Sequence, residues 1–147
     1  MKKLYNLLVY VRKIHENRKK LELLSAISQR ILKEKELEET EKEKEKTAKD
    51  LSKKIEEEGL PAWYVSNYLS YLDSLRDLKR KKSEELKEAV KIEEEKREVY
   101  VETKKELEIA QKLLEKVKMR ELISLLKKEE KFSDEIVLIK NAREKDE

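Results

Sequence analysis

The sequence predicts an all-α fold: one long antiparallel two-helix coiled coil, a helical hairpin. Three observations carry this. The 147 residues hold one glycine and one proline, two apart in Gly59-Leu60-Pro61, so a single break separates two helix-forming stretches. Charged side chains make up 48% of the chain and hydrophobic ones 37%, with a mean hydropathy of −0.93. That is too little apolar surface for a compact globule, and it is the Glu–Lys–Leu signature of long helices. The apolar residues also recur at three-and-four spacing. The expected organisation is one coiled-coil domain over 1–147: a first helix over about 2–58, a turn at 59–62, and a second helix over about 63–143, of which 122–147 overhang.

In the first arm the stripe Leu4, Leu7, Val11, Ile14, Leu21, Leu24, Ile27 and Ile31 is read as the seam that meets the second helix. The steps from Leu21 to Leu24 to Ile27 depart from strict heptads and predict a local change of winding. From Glu38 to Thr47 no residue is apolar, and helicity there rests on propensity and Glu–Lys pairs at helical spacing. The pattern resumes at Ala48, Leu51 and Ile55. At about 1.5 Å per residue the arm is roughly 85 Å long.

Gly59 suits the end of the first helix and Pro61 the first turn of the second. Just beyond, Trp63, Tyr64, Tyr68 and Tyr71 place four of the eight aromatic residues in one short segment. A hydrophobic plug closing the hairpin would use them. A two-helix tip buries only one face, however, and Tyr and Trp on the other face favour a protein interface. The candidate tip surface is Leu51, Ile55, Trp63, Tyr64, Tyr68, Tyr71, Leu72 and Leu75.

The second arm has one unbroken register: Leu75, Lys79, Lys82, Leu86, Ala89, Glu93, Lys96, Tyr100, Thr103, Leu107, Ala110, Leu114 and Val117. Its polar members weaken the seam but help fix alignment. The arm is about 120 Å long if helical to Arg143, so the stretch after about residue 122 lacks a partner in the chain. That overhang carries Leu122, Ile123, Leu125, Leu126, Phe132, Ile136, Val137, Leu138 and Ile139. The start of the first arm is also apolar nearly all round, which calls for more than one neighbour. The overhang folds back, pairs with a second chain, or docks another protein. For docking at this open end the candidates are Leu4, Leu8, Val11, Arg12, Lys13, Arg18, Leu122, Leu126, Phe132 and Ile136.

Net charge is +3, which argues for neither nucleic acid nor membrane as a partner. Residues 1–32 carry eight basic and two acidic side chains and suit an acidic surface. The cluster Arg76, Lys79, Arg80, Lys81 and Lys82 lies opposite the acidic stretch Glu38–Glu45, so interhelical pairing is favoured over nucleic-acid binding. The apolar run Leu7–Val11 is far too short to span a bilayer, and its flanks read as a cytosolic helix rather than a leader. With no cysteine and His15 the only histidine, thiolate chemistry and His-based metal sites are unavailable. The glutamate runs at 56–58 and 93–95 lack the burial that tunes a catalytic carboxylate, and there is no glycine-rich phosphate loop. The expectation is a non-enzyme without cofactor or metal.

Several segments together resemble the FliJ family of the bacterial flagellar protein-export apparatus. They are the leucine-rich basic start from Leu4 to Arg18, the glycine-marked turn, and Tyr68-Leu69-Ser70-Tyr71-Leu72-Asp73-Ser74-Leu75. Further on come Tyr100-Val101-Glu102-Thr103-Lys104-Lys105-Glu106-Leu107, Leu114-Glu115-Lys116-Val117-Lys118 and Lys128-Glu129-Glu130-Lys131-Phe132-Ser133-Asp134-Glu135. The resemblance implies a non-enzymatic stalk similar to part of the γ subunit of rotary ATPases. It implies an open end that enters a hexameric export ATPase (FliI-like) and promotes its assembly, and a tip that contacts the cytoplasmic domain of the export gate (FlhA-like). It also implies export chaperones as partners, and a cytoplasmic location, peripheral at the inner face of the cell membrane, without insertion. Two rival readings are weaker. A V/A-type rotary ATPase central-stalk subunit has more sequence between its helices. A prefoldin-like chaperone needs strand-forming segments, and no alternating β-branched run flanks the turn.

Overall fold

The computed structural model describes residues 1–146, which form two α-helices, α1 (Lys2–Glu58) and α2 (Ala62–Asp146), with no strand among them. The all-α helical hairpin expected from the sequence is the fold observed. Gly59 sits at φ 60°, the left-handed conformation that ends a helix and that only glycine adopts without strain. Pro61 lies one residue ahead of α2 and caps it: its carbonyl accepts from the Tyr64 and Val65 amides at 3.1 and 3.3 Å. α2 closes with Arg143 and Lys145 in its last turn, where positive charge opposes the exposed carbonyl dipoles.

Contacts divide the chain into two units, Arg18–Val101, and Met1–Asn17 with Glu102–Glu147. Within Arg18–Val101 the α2 side of the seam is the one read from the sequence. Leu75, Ala89 and Glu93 are buried, and Lys79, Lys82, Leu86, Lys96 and Tyr100 are half-buried. In the other unit the same series continues through buried Thr103, Leu107 and Ala110 to half-buried Leu114 and Val117.

On α1 the structure corrects the sequence reading. Of the stripe expected to form the seam, Leu4, Leu7, Val11, Ile14, Leu21, Leu24 and Ile31 are exposed, and only Ile27 is half-buried. The residues that meet α2 step strictly by four and three from Tyr5 to Lys54 without a change of winding. In the unit of Met1–Asn17 they are Tyr5, Val9, Arg12 and Glu16. From Arg18 onward they include Lys19, Leu23, Ala26, Arg30, Lys33 and Leu37, then Thr40, Lys44, Thr47, Leu51 and Lys54. The ten-residue polar stretch is therefore not a gap, since Thr40 and Thr47 are buried there. The Thr40 hydroxyl donates to the Glu36 carbonyl at 2.9 Å, which lets a polar residue occupy the interior.

A charged seam needs partners, and most of the charges that enter it meet one across the helices. Within Arg18–Val101, Arg30 reaches Glu93 at 2.5 Å, Lys33 reaches Glu85 at 3.2 Å, and Lys79 reaches Glu41 at 2.5 Å. Lys82 meets Glu36 at 3.1 Å and Lys96 meets Glu22 at 3.5 Å. In the other unit Arg12 holds Glu106 at 2.7 Å. Lysine stems cover the seam while their ammonium groups reach carboxylates at its edges. The basic cluster of α2 thus pairs in part with the acidic stretch of α1, through Lys79 and Glu41; Arg76, Arg80 and Lys81 stay exposed. Glu93 is the most deeply placed charge, at 6% exposure, and takes a second bond from Arg97 at 2.9 Å.

These pairs predict an acid response. Hydrogen bonds from Lys19, Lys82, Lys79 and Lys33 hold the carboxyls of Glu22, Glu36, Glu41 and Glu85 below their ordinary value. Their stabilisation is complete above the unfolded carboxylate pKa of about 4.3 and is lost as pH falls through the lowered folded values. The melting temperature followed by circular dichroism should drop from about pH 5 to about pH 2, and less steeply in high salt. Separately, Glu93→Ala should lower that temperature at neutral pH by roughly 5 °C, because Arg30 loses its partner across the seam and is left with Glu34 of its own helix, whereas the double change Arg30→Leu with Glu93→Leu should restore it.

Candidate functional site

The tip lies within Arg18–Val101. The turn brings the first two turns of α2 beside the end of α1, and the aromatic side chains stack along one another. The rings of Trp63 and Tyr64 meet edge-to-face with centroids 5.6 Å apart, and Tyr64 and Tyr68 lie 5.2 Å apart. Lys54 from α1 stands over Tyr64 and Tyr68 at 5.8 and 5.5 Å and donates to the Tyr68 hydroxyl at 3.0 Å. That hydrogen bond raises the lysine pKa and lowers that of the phenol. The Tyr71 hydroxyl donates to Glu43 at 3.4 Å.

The tip therefore has an anchored layer and an outer layer. Leu51 and Leu75 are buried in the seam beneath it, and Tyr64, Tyr68 and Leu72 are half-buried. Trp63, at 66% exposure, stands out with Tyr71, Leu69 and Ile55. Trp63, Tyr64, Asn67, Tyr68 and Tyr71 line a shallow groove on α2. Of the residues expected to act here, Trp63, Tyr71 and Ile55 present surface, whereas Leu51 and Leu75 hold the helices together. Asn67 was missed because it does not stand out by type; only its helical spacing beside Trp63 and Tyr71 would have found it.

The second candidate surface lies in the unit of Met1–Asn17 and Glu102–Glu147. Leu4 and Leu7, 67% and 58% exposed, are joined by Tyr10, Val11 and Ile14 on the outer side of α1. Leu8 is half-buried, as is Arg12, which is tied to Glu106, while Lys13 is exposed. Arg18, also exposed, belongs to the other unit. From Lys118 to Lys145 every α2 residue is exposed, including Leu122, Leu126, Phe132 and Ile136. The overhang is thus a continuation of the α2 helix through Asp146, not a segment folded back; Glu147 lies outside the described residues.

Chemistry at these surfaces is that of contact. An open cleft is lined by buried Ala26 and Ala89, by exposed Ile92, and by Glu22, Lys33, Glu85 and Lys96, and those charges are the ones already paired across the seam. Among the described residues no group of three or more His, Cys, Asp or Glu is arranged to hold a metal ion. None of their helices is long and apolar enough to cross a membrane.

Comparison with curated proteins and with solved structures gives no match. Comparison with family models gives one, described as the flagellar FliJ protein, over residues 1–146. That match spans both helices, the aromatic tip and the overhang, and with the helical hairpin it agrees with the resemblance carried by the sequence. The chain belongs to the FliJ family of flagellar protein export.

Proposed function

We propose that this protein is a non-enzymatic stalk of the flagellar export apparatus. Its open end, the start of α1 together with the overhang of α2, enters the central hole of the hexameric export ATPase and promotes ring assembly. Its tip contacts the cytoplasmic domain of the export gate, and export chaperones bind as further partners. The protein works in the cytoplasm, peripheral at the inner face of the membrane. The observation that carries this reading is the family match over 1–146, in a chain that leaves Trp63 and Tyr71 exposed at the tip and Leu4, Leu7, Leu122, Leu126, Phe132 and Ile136 exposed at the open end. Two paired helices, about 20 Å across, suit a narrow sleeve. The eight basic and two acidic side chains of residues 1–32 suit an acidic lining.

Two experiments test the reading. Deleting residues 123–147 should leave the helices paired, because every α2 residue from Lys118 to Lys145 is exposed. The same deletion should abolish stimulation of the export ATPase and of its ring assembly; full stimulation by the shortened chain would remove the overhang from the docking surface. At the tip, Trp63→Ala with Tyr71→Ala should weaken binding to the export-gate domain by on the order of a hundredfold and leave ATPase stimulation unchanged. Equal loss of both activities, tracking lost helicity, would make the tip a structural plug alone.

A further inference from the structure

Two apolar heptad seams in the unit of Met1–Asn17 and Glu102–Glu147 have no helix packed on them. On α1, Leu4, Leu7, Val11 and Ile14 step by three, four and three along the face turned away from the series Tyr5, Val9, Arg12 and Glu16 that meets α2. On α2 a new series begins at Leu122 and runs through Leu125, Glu129, Phe132 and Ile136 to Ile139, stepping by three and four without a slip, all of it exposed. The register that packs α1 would continue past Val117 to Glu121, Ser124, Lys128 and Lys131, all polar. The helix thus changes its apolar face by one residue where its own partner ends. Most helical stability in proteins comes from packing of an amphipathic face, and strict three-four spacing is a seam for another helix.

We infer that the helix is supplied by a second copy of this chain. The overhang of each copy packs, parallel, on the outer face of its partner's α1 start. Each Met1–Asn17 segment then lies between its own α2 and the overhang of the second copy. The step patterns of the two seams are the same, so Leu4 falls beside the partner's Leu122, Leu7 beside the partner's Leu125 and Ile14 beside the partner's Phe132. Direction agrees as well. The overhang runs away from its own Met1, and a two-fold axis at that point makes the partner's α1 run alongside it, so the contact forms twice and closes. Charge is complementary in this register. Residues 11–17 carry Arg12 and Lys13 against Glu16, and residues 129–135, which lie beside them, carry four acidic side chains and one basic. The chain exposes 12141 Å², against about 8,000 Å² for a compact monomer of its mass, which leaves ample surface for such a pair. A lipid surface would favour a broad apolar face with a basic flank, whereas residues 119–147 carry seven basic and eight acidic side chains. The pair covers the surface assigned above to ring docking, so self-association and docking compete.

The test uses the chain alone, so its failure leaves the ring-docking reading standing. The protein has no cysteine, which makes introduced pairs unambiguous. Under oxidation the full chain with Leu7→Cys and Leu125→Cys should run as a covalent dimer. The chain with Leu7→Cys and Ile136→Cys, which reports an antiparallel head-to-tail contact, should cross-link at least about tenfold less. Sedimentation equilibrium of the unaltered chain should show a monomer–dimer equilibrium. Leu125→Glu with Phe132→Glu should raise its dissociation constant by on the order of a hundredfold, with the hairpin's helicity retained because both positions are exposed. A chain that stays monomeric at roughly 100 μM overturns the inference. So do a preference for the antiparallel cysteine pair and a dimer indifferent to the glutamates. A monomer that binds anionic vesicles, or that pairs only once the export ATPase is added, names a different occupant and overturns it as well.

Discussion

The structure depends on how two helices with polar contact faces satisfy the charges they bring together. A coiled-coil seam of leucines would hold by burial alone. Here the α1 face contains Arg12, Glu16, Lys19, Arg30, Lys33, Lys44 and Lys54, and the α2 face contains Lys79, Lys82, Glu93 and Lys96. Most are tolerable because a long stem covers apolar surface while the head reaches an opposite charge at the seam edge; Lys19 pairs with Glu22 of its own helix and Lys54 meets the Tyr68 hydroxyl. Arg30, Glu93 and Arg97 form the most enclosed of these sets. Such pairs contribute little net stability at an exposed site. Their larger effect is on alignment: a shift of one heptad would leave each charge facing the wrong neighbour.

That arrangement has a consequence for the rest of the surface. Because the polar face of α1 is turned inward, its apolar stripe is turned outward, and Leu4, Leu7, Val11 and Ile14 are left in water. A helix with one seam of charges and another of aliphatic side chains is built for two different neighbours. The first is α2 of the same chain. The second would be a neighbour on the outer side, and the overhang of α2 presents an apolar face with the same spacing. The tip follows the same logic on a smaller scale: Leu51 and Leu75 close the seam, Lys54 fixes the inner tyrosines, and Trp63 with Tyr71 is left to be covered by something else.

Self-association and ring docking would draw on one surface. A pair of chains masking each other's seams keeps apolar side chains out of water until a tighter partner displaces one copy. Competition of this kind needs no conformational switch, since exchange follows from relative affinity and concentration alone.

The sequence by itself determined the two helices, the turn, and the α2 half of the seam. Gly59 and Pro61 are the only helix breakers, and thirteen positions from Leu75 to Val117 keep one register that the structure buries or half-buries. It also marked the aromatic tip and the apolar overhang, because residue type alone made both conspicuous. Only the tertiary structure decided which face of α1 meets α2. Periodicity reports that a face is apolar and cannot report which neighbour covers it; the strongest stripe, Leu4 to Ile31, pointed to the outer side. The inward face was hidden because its apolar members, Tyr5, Val9, Leu23, Ala26, Leu37 and Leu51, are interleaved with lysines, arginines, threonines and a glutamate, whose fitness for a seam exists only once Glu36, Glu41, Glu85, Glu93 and Glu106 stand opposite or at its edges. The pairing of charges across more than fifty residues of chain, as between Lys33 and Glu85, is a property of the packed helices and has no signature in either helix read alone.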